Sequence, residues 1–318
     1  MKQDYLHNHN DFKSLLDILE EETGIVSGLI EKDYWIMHVL FGLKQQGYTF
    51  ELKGGTSLSK GYQIIDRFSE DIDIHISPPV ELQINENPNN DNPKNRAKRK
   101  LFYDQLAAEI KIDGIGLIER DFAFDNIRNY LSGGIRLHYT SAATAVENLK
   151  EGILLEAGFD VVTPNTALNI SSWAYDRAIS KLGNIFIDNR ALKIPCYHPG
   201  YTFVEKLQTI ATKFRMEQET IGIEKNFMRQ YYDVANLLKN QNVIDFIGTE
   251  EYKAHKDKRF PKKDRDIPIA ENEAFLLSDL KIRERYKARY QMTKNLFYKG
   301  QPDFEDILSV IKKYIDKL

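Results

Sequence analysis

The stretch from residue 51 to 76, ELKGGTSLSKGYQIIDRFSEDIDIHI, constrains this chain more than any other. In SEDIDIHI, Ile72, Ile74 and Ile76 alternate with Asp71, Asp73 and His75. A strict period of two is the mark of a strand with one buried and one open face, because successive side chains point to opposite sides of a sheet. Asp71 and Asp73 therefore share a face. Ahead of them YTFELKG alternates into a second short strand that stops at Gly54-Gly55, where TSLSKGYQIID takes up a helical period. A glycine pair at such a junction lets the backbone approach a phosphate closely, and the helix N-terminus that follows offers unpaired N–H donors. The Thr56 hydroxyl could join them. The same residues also suit a plain tight turn with Thr56 as N-cap.

Two carboxylates on one strand face repel each other unless a cation or a basic group neutralises them. Mg²⁺, or Mn²⁺ in its place, held by carboxylates together with substrate phosphates is one resolution; a solvated strand edge with its charges outward is the other. Activating a hydroxyl and steadying a leaving pyrophosphate with two metals calls for a third carboxylate from a neighbouring strand. Glu156 in GILLEAGF is the best placed, a charge within an apolar run that faces either a cavity and a cation or water at a sheet edge. These residues point to metal-assisted chemistry on a nucleoside triphosphate. A sugar-nucleotide glycosyltransferase using Asp-x-Asp is the rival, disfavoured by the glycine turn and by the lack of repeated βαβ units.

The rest of the chain supplies a frame for that site. Its 318 residues, 42% hydrophobic and 29% charged, suffice for two domains with substantial cores. A net charge of −3 argues against a uniformly basic nucleic-acid coat. One cysteine, Cys196, excludes an intrachain disulfide, and the start of the chain lacks an export signal, so a cytoplasmic setting is expected. The most apolar run, YWIMHVLFGL, is too short to span a membrane. Residues 11–23 and 30–46 read as helices, residues 78–93 as a mobile Pro/Asn-rich loop, and KNRAKRK (94–100) as the lead into a helix reaching about residue 111. Strand-like stretches between 114 and 160 complete an α+β domain. From about 165 helical patterns take over, at 201–217, 225–240, 273–297 and 303–318, with the charged run at 255–268 expected as a loop. The basic runs suit RNA phosphates or simply solvent. Tyr231, Tyr232, Tyr286 and Tyr290 have the spacing of core packing.

LKGGTSLSKGYQIIDRFSEDIDI resembles the signature of the AbiEii/AbiGii toxin-type nucleotidyltransferases, within the DNA polymerase β-like superfamily. The likeness covers Gly55, Thr56 and Lys60, then Arg67, Ser69 and the pair Asp71 and Asp73. KDYWI (32–36) is similar to a stretch preceding the first strand in these proteins. The family's Lys-x-[Asp/Glu] strand falls on Leu154-Leu155-Glu156, so the carboxylate is kept and the lysine is not. TFVEKLQTI resembles the helix bearing a triphosphate-contacting lysine, here Lys206, and RQYYDVANLL the last motif, giving Asp233. Taken alone, Lys206 beside Glu205 would read as a surface pair and Asp233 as a helix-surface charge.

The resemblance implies an α+β nucleotidyltransferase fold with a mixed sheet and flanking helices. Residues 1–165 would form the catalytic domain, and 166–318 a helical C-terminal domain closing the nucleotide cleft. It implies metal ligands Asp71, Asp73 and Glu156, with Lys206 and Asp233 also in the catalytic set. Gly54, Gly55, Thr56, Lys60, Ser69 and Lys206 would cradle the triphosphate. The expected reaction is transfer of a nucleoside monophosphate from an NTP to a hydroxyl of RNA, with the tRNA 3′ end as leading acceptor and a protein hydroxyl as the lesser alternative. The role implied is that of a toxin in a toxin–antitoxin or abortive-infection system, with a cognate antitoxin as partner. The alternative is a nucleotide-binding or interaction protein of the same fold without turnover, for which Leu154 is the best support.

Overall fold

The computed structural model describes residues 3–144, 149–220 and 227–318. Its strands are β1 (Phe50–Lys53), β2 (Asp71–Ile76), β3 (Ile115–Asp121), β4 (Ser132–Tyr139), β5 (Ile153–Gly158), β6 (Asn165–Ile170) and β7 (Ala191–Tyr197). They join in one mixed sheet in the order β3-β4-β5-β2-β1-β7-β6. At its centre β2 runs antiparallel to β1 and parallel to β5, while β1 runs parallel to β7. Helices α1 (Phe12–Thr23), α2 (Ser27–Gln45), the single turn α3 (Gly54–Thr56), α4 (Pro93–Glu109) and α5 (Trp173–Leu182) complete the first part of the chain. Helices α6 (Pro199–Glu219), α7 (Arg229–Leu237), α8 (Gln241–Phe246), α9 (Glu250–Arg259), α10 (Lys262–Arg265), α11 (Glu273–Leu276), α12 (Leu280–Gln291) and α13 (Phe304–Tyr314) follow. The protein is α+β.

Two compact units emerge. One comprises residues 1–61 and 68–197; the other comprises 62–67 and 198–318. The first unit thus runs past the division expected near residue 165, because β6 and β7 pair with each other and β7 with β1. Neither strand announces itself: β6 is an edge strand exposed along most of its length, and β7 contains Pro195. The helix expected through residue 66 stops at Gly61. Residues 62–67 instead extend within the second unit, where Arg67 bridges Phe297 and Ile65 is fully buried.

Alternation in β2 is realised in full: Ile72, Ile74 and Ile76 are buried, whereas Asp71, Asp73 and His75 are half-buried on the other face. Helix α2 is buried nearly all round, which explains its apolar composition. Among the described residues no helix is long and apolar enough to cross a membrane. The loop ahead of α4 is irregular, as expected, apart from a short turn at Val80–Leu82, but it is not left loose. Buried Arg99 donates to the carbonyls of Asn85, Asn87 and Asn90, and Lys98 to those of Leu82 and Gln83. Much of the basic run KNRAKRK, which lies inside α4, is thus engaged with its own chain. The run at 255–268, expected as a loop, is largely helical as α9 and α10. All four tyrosines at 231, 232, 286 and 290 are buried.

Candidate active site

The glycine turn and the acidic strand meet through sheet register. Lys53, the last residue of β1, pairs with Asp73 of β2, so the turn that follows begins beside that carboxylate. Gly54 has φ +71°, and a Cβ at this position would collide with Asp73 Oδ2. Only glycine satisfies both conditions. Thr56 Oγ1 donates to the Asp71 carbonyl at 2.5 Å, and Ser57 Oγ to the Gly54 carbonyl at 3.0 Å. The Thr56 hydroxyl, expected on a phosphate, holds the strand end instead. Gly55 is buried in the same turn, and Ser69 is half-buried in the run leading into β2.

Glu156 of β5 is the register partner of Asp73, and Leu154 that of Asp71. Alternation then sets Asp71, Asp73 and Glu156 on one face of two adjacent parallel strands. Burial, with the negative charges of Asp73 and Asp71 beside it, pushes the Glu156 carboxyl up to about 7, against the opposing pull of Lys150 and Lys53. The three acids share a face and a field, yet among the described residues no group of three is gathered closely enough to hold a metal ion. Asp71 is engaged elsewhere: Lys150 Nζ reaches its two oxygens at 2.9 and 3.2 Å. Lys53 Nζ pairs with Asp160 at 2.9 Å. As a donor set, three carboxylates without sulfur or imidazole suit a hard divalent cation such as Mg²⁺.

Three successive charges at the start of α2 tie this region together from behind, each nearly fully buried. Glu31 accepts from Ser141 Oγ at 2.5 Å and from the Ala142 and Ala143 amides. Lys32 Nζ donates to the Lys150 carbonyl at 2.5 Å, and burial lowers its pKa to about 8 despite the pull of Glu70 and Asp71. Asp33 pairs with Lys60 at 2.7 Å and accepts from the Trp173 amide at 2.9 Å. Burial nevertheless raises the Asp33 carboxyl above its usual range. The Lys60 ammonium, expected at the triphosphate, therefore rests on Asp33 with the Trp173 ring 5.0 Å away.

Lys206 and Asp233 come together in the second unit. Lys206 Nζ lies 2.6 Å from Asp233 Oδ2 and donates to Gln230 Oε1 at 3.0 Å. Arg67 clasps the same carboxylate through Nε at 2.7 Å and Nη2 at 2.6 Å. Burial alone would raise the Asp233 pKa, but these two cations more than offset it and hold the group below the usual carboxylate range. Neither Lys206 nor Asp233 is the surface charge that its local sequence would suggest.

A family model, "Nucleotidyl transferase AbiEii toxin, Type IV TA system", matches residues 38–310. The chain belongs to this family. AbiEii proteins are nucleotidyltransferases, so the protein is an enzyme of that class. No curated protein matches the sequence. Among solved structures, terminal uridylyl transferase 4 from Trypanosoma brucei with bound dUTP is similar at 9% identity, over 95% of this chain and 97% of that one. Its TM-score of 0.25 is too low to bear on the fold or the site.

The AbiEii match begins after Glu31, Lys32 and Asp33; Lys32 and Asp33 lie in the KDYWI stretch, but nothing in the sequence gives any of the three a role. Lys53 was accessible to it, since its alternation with Glu51 places it on the open face of β1. Lys150 was not, because nothing in ENLKEG marks a contact with a residue 79 positions away. Arg67 stands in the signature, but its partner Asp233 is 166 positions away and no local pattern connects them.

Proposed function

We propose that this AbiEii protein transfers a nucleoside monophosphate from an NTP to an RNA hydroxyl, with the tRNA 3′ end as acceptor. The observation that carries this reading is the register pairing of Asp73 with Glu156 beside the left-handed Gly54 turn. Asp71, Asp73 and Glu156 are the residues that would hold Mg²⁺, or Mn²⁺ in its place. When bound, the ion would supply positive charge to the phosphates and the developing oxyanions. Glu156 is assigned the proton of the attacking hydroxyl. The acceptor oxygen then bonds to the α-phosphorus as the bridging α–β P–O bond breaks and pyrophosphate leaves. Gly54, Gly55, Thr56, Lys60 and Ser69 shape the phosphate-facing turn, Thr56 and Lys60 by fixing it from within. Lys206, oriented by Asp233, is assigned to the triphosphate by its place in the family motif.

The family description names a Type IV toxin–antitoxin system, which supports a toxin role, a cognate antitoxin as partner and action in the cytoplasm where NTPs and tRNA are found. The second reading, a binder without turnover, is favoured by Leu154 at the family's lysine position and by the Lys150 ion pair on Asp71. One assay separates the two. Total tRNA incubated with each labelled NTP and Mg²⁺ should become labelled by the wild type and not by an Asp71→Asn/Asp73→Asn double variant. Nucleotide binding without label or pyrophosphate release would overturn the enzymatic reading.

A further inference from the structure

Lys150 has no place in the family signature, yet its ammonium contacts the acidic strand at Asp71. Its Nζ meets both oxygens of Asp71, and its main chain is pinned on both sides: the amide donates to Glu70 Oε1 at 3.3 Å and the carbonyl accepts from Lys32 Nζ at 2.5 Å. Lys32 is 1% exposed. Burying an ammonium is costly, and here its hydrogen bond fixes where Lys150 begins. The Lys150 side chain stays 37% exposed and that of Asp71 22%, so ions in solution reach the pair. The Phe124 ring lies 5.4 Å from the ammonium and gives it a second surface to rest on. Position 154, opposite Asp71 on β5, holds a fully buried leucine and brings no charge.

We propose that Lys150 is a resident counter-ion of Asp71, which a divalent cation must displace, and that it thereby sets the metal affinity of the site. This rests on the reading of Asp71 as a metal carboxylate. A tethered ammonium competes at high effective concentration, so it weakens a soluble competitor for the same oxygens without changing the ligand set. Displacement frees the Lys150 ammonium within one side-chain length of Asp71, where it supplies the positive charge that Leu154 lacks. The buried Lys32 is a positioning residue in this arrangement, acting through the Lys150 carbonyl.

Calorimetric titration of the full chain with Mn²⁺, without nucleotide, tests the proposal. Lys150→Gln should bind Mn²⁺ more tightly than wild type, by roughly tenfold for removal of one competing charge, while Lys150→Arg retains the weaker wild-type affinity. Asp71→Asn should lose binding in either background. Unchanged affinity in Lys150→Gln, with Asp71→Asn still abolishing binding, would overturn the counter-ion role and leave the metal reading intact. Wild-type affinity in Asp71→Asn would overturn both. Because Lys150 is partly exposed, Lys150→Gln is expected to melt within a few degrees of wild type, and the arginine variant controls for any loss of packing.

Discussion

At the scale of single residues, the site is built from conflicts that simple substitutions should expose. Gly54 combines φ +71° with direct apposition to the Asp73 carboxylate. Gly54→Ala should therefore push Asp73 off its position and strain the turn, lowering stability by about 1–2 kcal/mol and nucleotidyl transfer on the order of a hundredfold. Urea melts and labelled-NTP transfer would measure the two effects; an alanine variant with full activity would show that the close approach is incidental. Glu156 carries the opposite trade. Its carboxyl is raised from its ordinary value to about 7, so the folded protein binds this proton more tightly than the unfolded chain. Stability from this group is present at low pH and is lost as pH rises through 7. In metal-free protein at pH 8, Glu156→Gln should thus be more stable than wild type by about 1–3 kcal/mol while losing transfer activity. An equal or lower melting temperature for the variant would show that burial and the neighbouring acids do not disfavour the Glu156 carboxylate. The shared face of Asp71 and Asp73 was legible in the sequence because a period of two states which face a strand residue occupies, and Glu156 stood out as the one charge in an apolar run. Lys32 and Lys150 were not, because their hydrogen bond joins positions 118 apart and leaves no local trace.

At the scale of elements, periodicity revealed those that bury one face and missed those that do not. Helices α1 and α2 and strand β2 follow from spacing alone. Strand β6, exposed at the sheet edge, offers no alternation to detect, and residues 62–67 continue a helical pattern that their burial in the second unit overrides. Helix α2 also carries a polar ring that composition could not foretell. His38 Nε2 donates to the Asp113 carbonyl at 3.0 Å while its Nδ1 accepts from Asn189 at 2.8 Å. Asn189 also donates to the Tyr34 hydroxyl, and Tyr34 is hydrogen-bonded to His7, whose other ring nitrogen pairs with Asp113. These partners fix His38 as the neutral Nε2–H tautomer. Burial, and the adjacent His7, lower its pKa from 6.5 to about 4. The unfolded chain thus takes up the proton first, and stability is lost as pH falls from 6.5 through 4, by about 3 kcal/mol in total. Chemical denaturation between pH 7.5 and 4 should show a shallower loss in His38→Gln, which stays neutral throughout. Parallel curves for the two proteins would remove His38 from the acid response.

At the scale of the whole molecule, the second compact unit is not a contiguous stretch of chain. Residues 62–67 belong to it although they lie between the glycine turn and β2 in sequence. Their contribution is electrostatic as well as apolar. Asp233 is fully buried and shared by Arg67 and Lys206, and the Ile65 carbonyl and Asp66 amide bond to the hydroxyls of Tyr298 and Tyr232. Removing the segment would leave Asp233 with Lys206 alone and take away the two-point clasp of Arg67, a loss on the order of 3–5 kcal/mol for a broken buried pair. That is a large share of the stability of a unit of this size. A fragment of residues 198–318 is therefore expected to be poorly folded by circular dichroism and to lack a cooperative melt. In the full chain, Asp233→Ala should destabilise more than Arg67→Met, because it removes the carboxylate that two buried cations share, where the arginine variant leaves the Lys206 pair whole. A cooperative melt in the fragment close to that of the full chain would show that the 62–67 segment is a passenger. It would also mean that the Arg67 clasp on Asp233 adds nothing to the fold of the unit that carries Lys206.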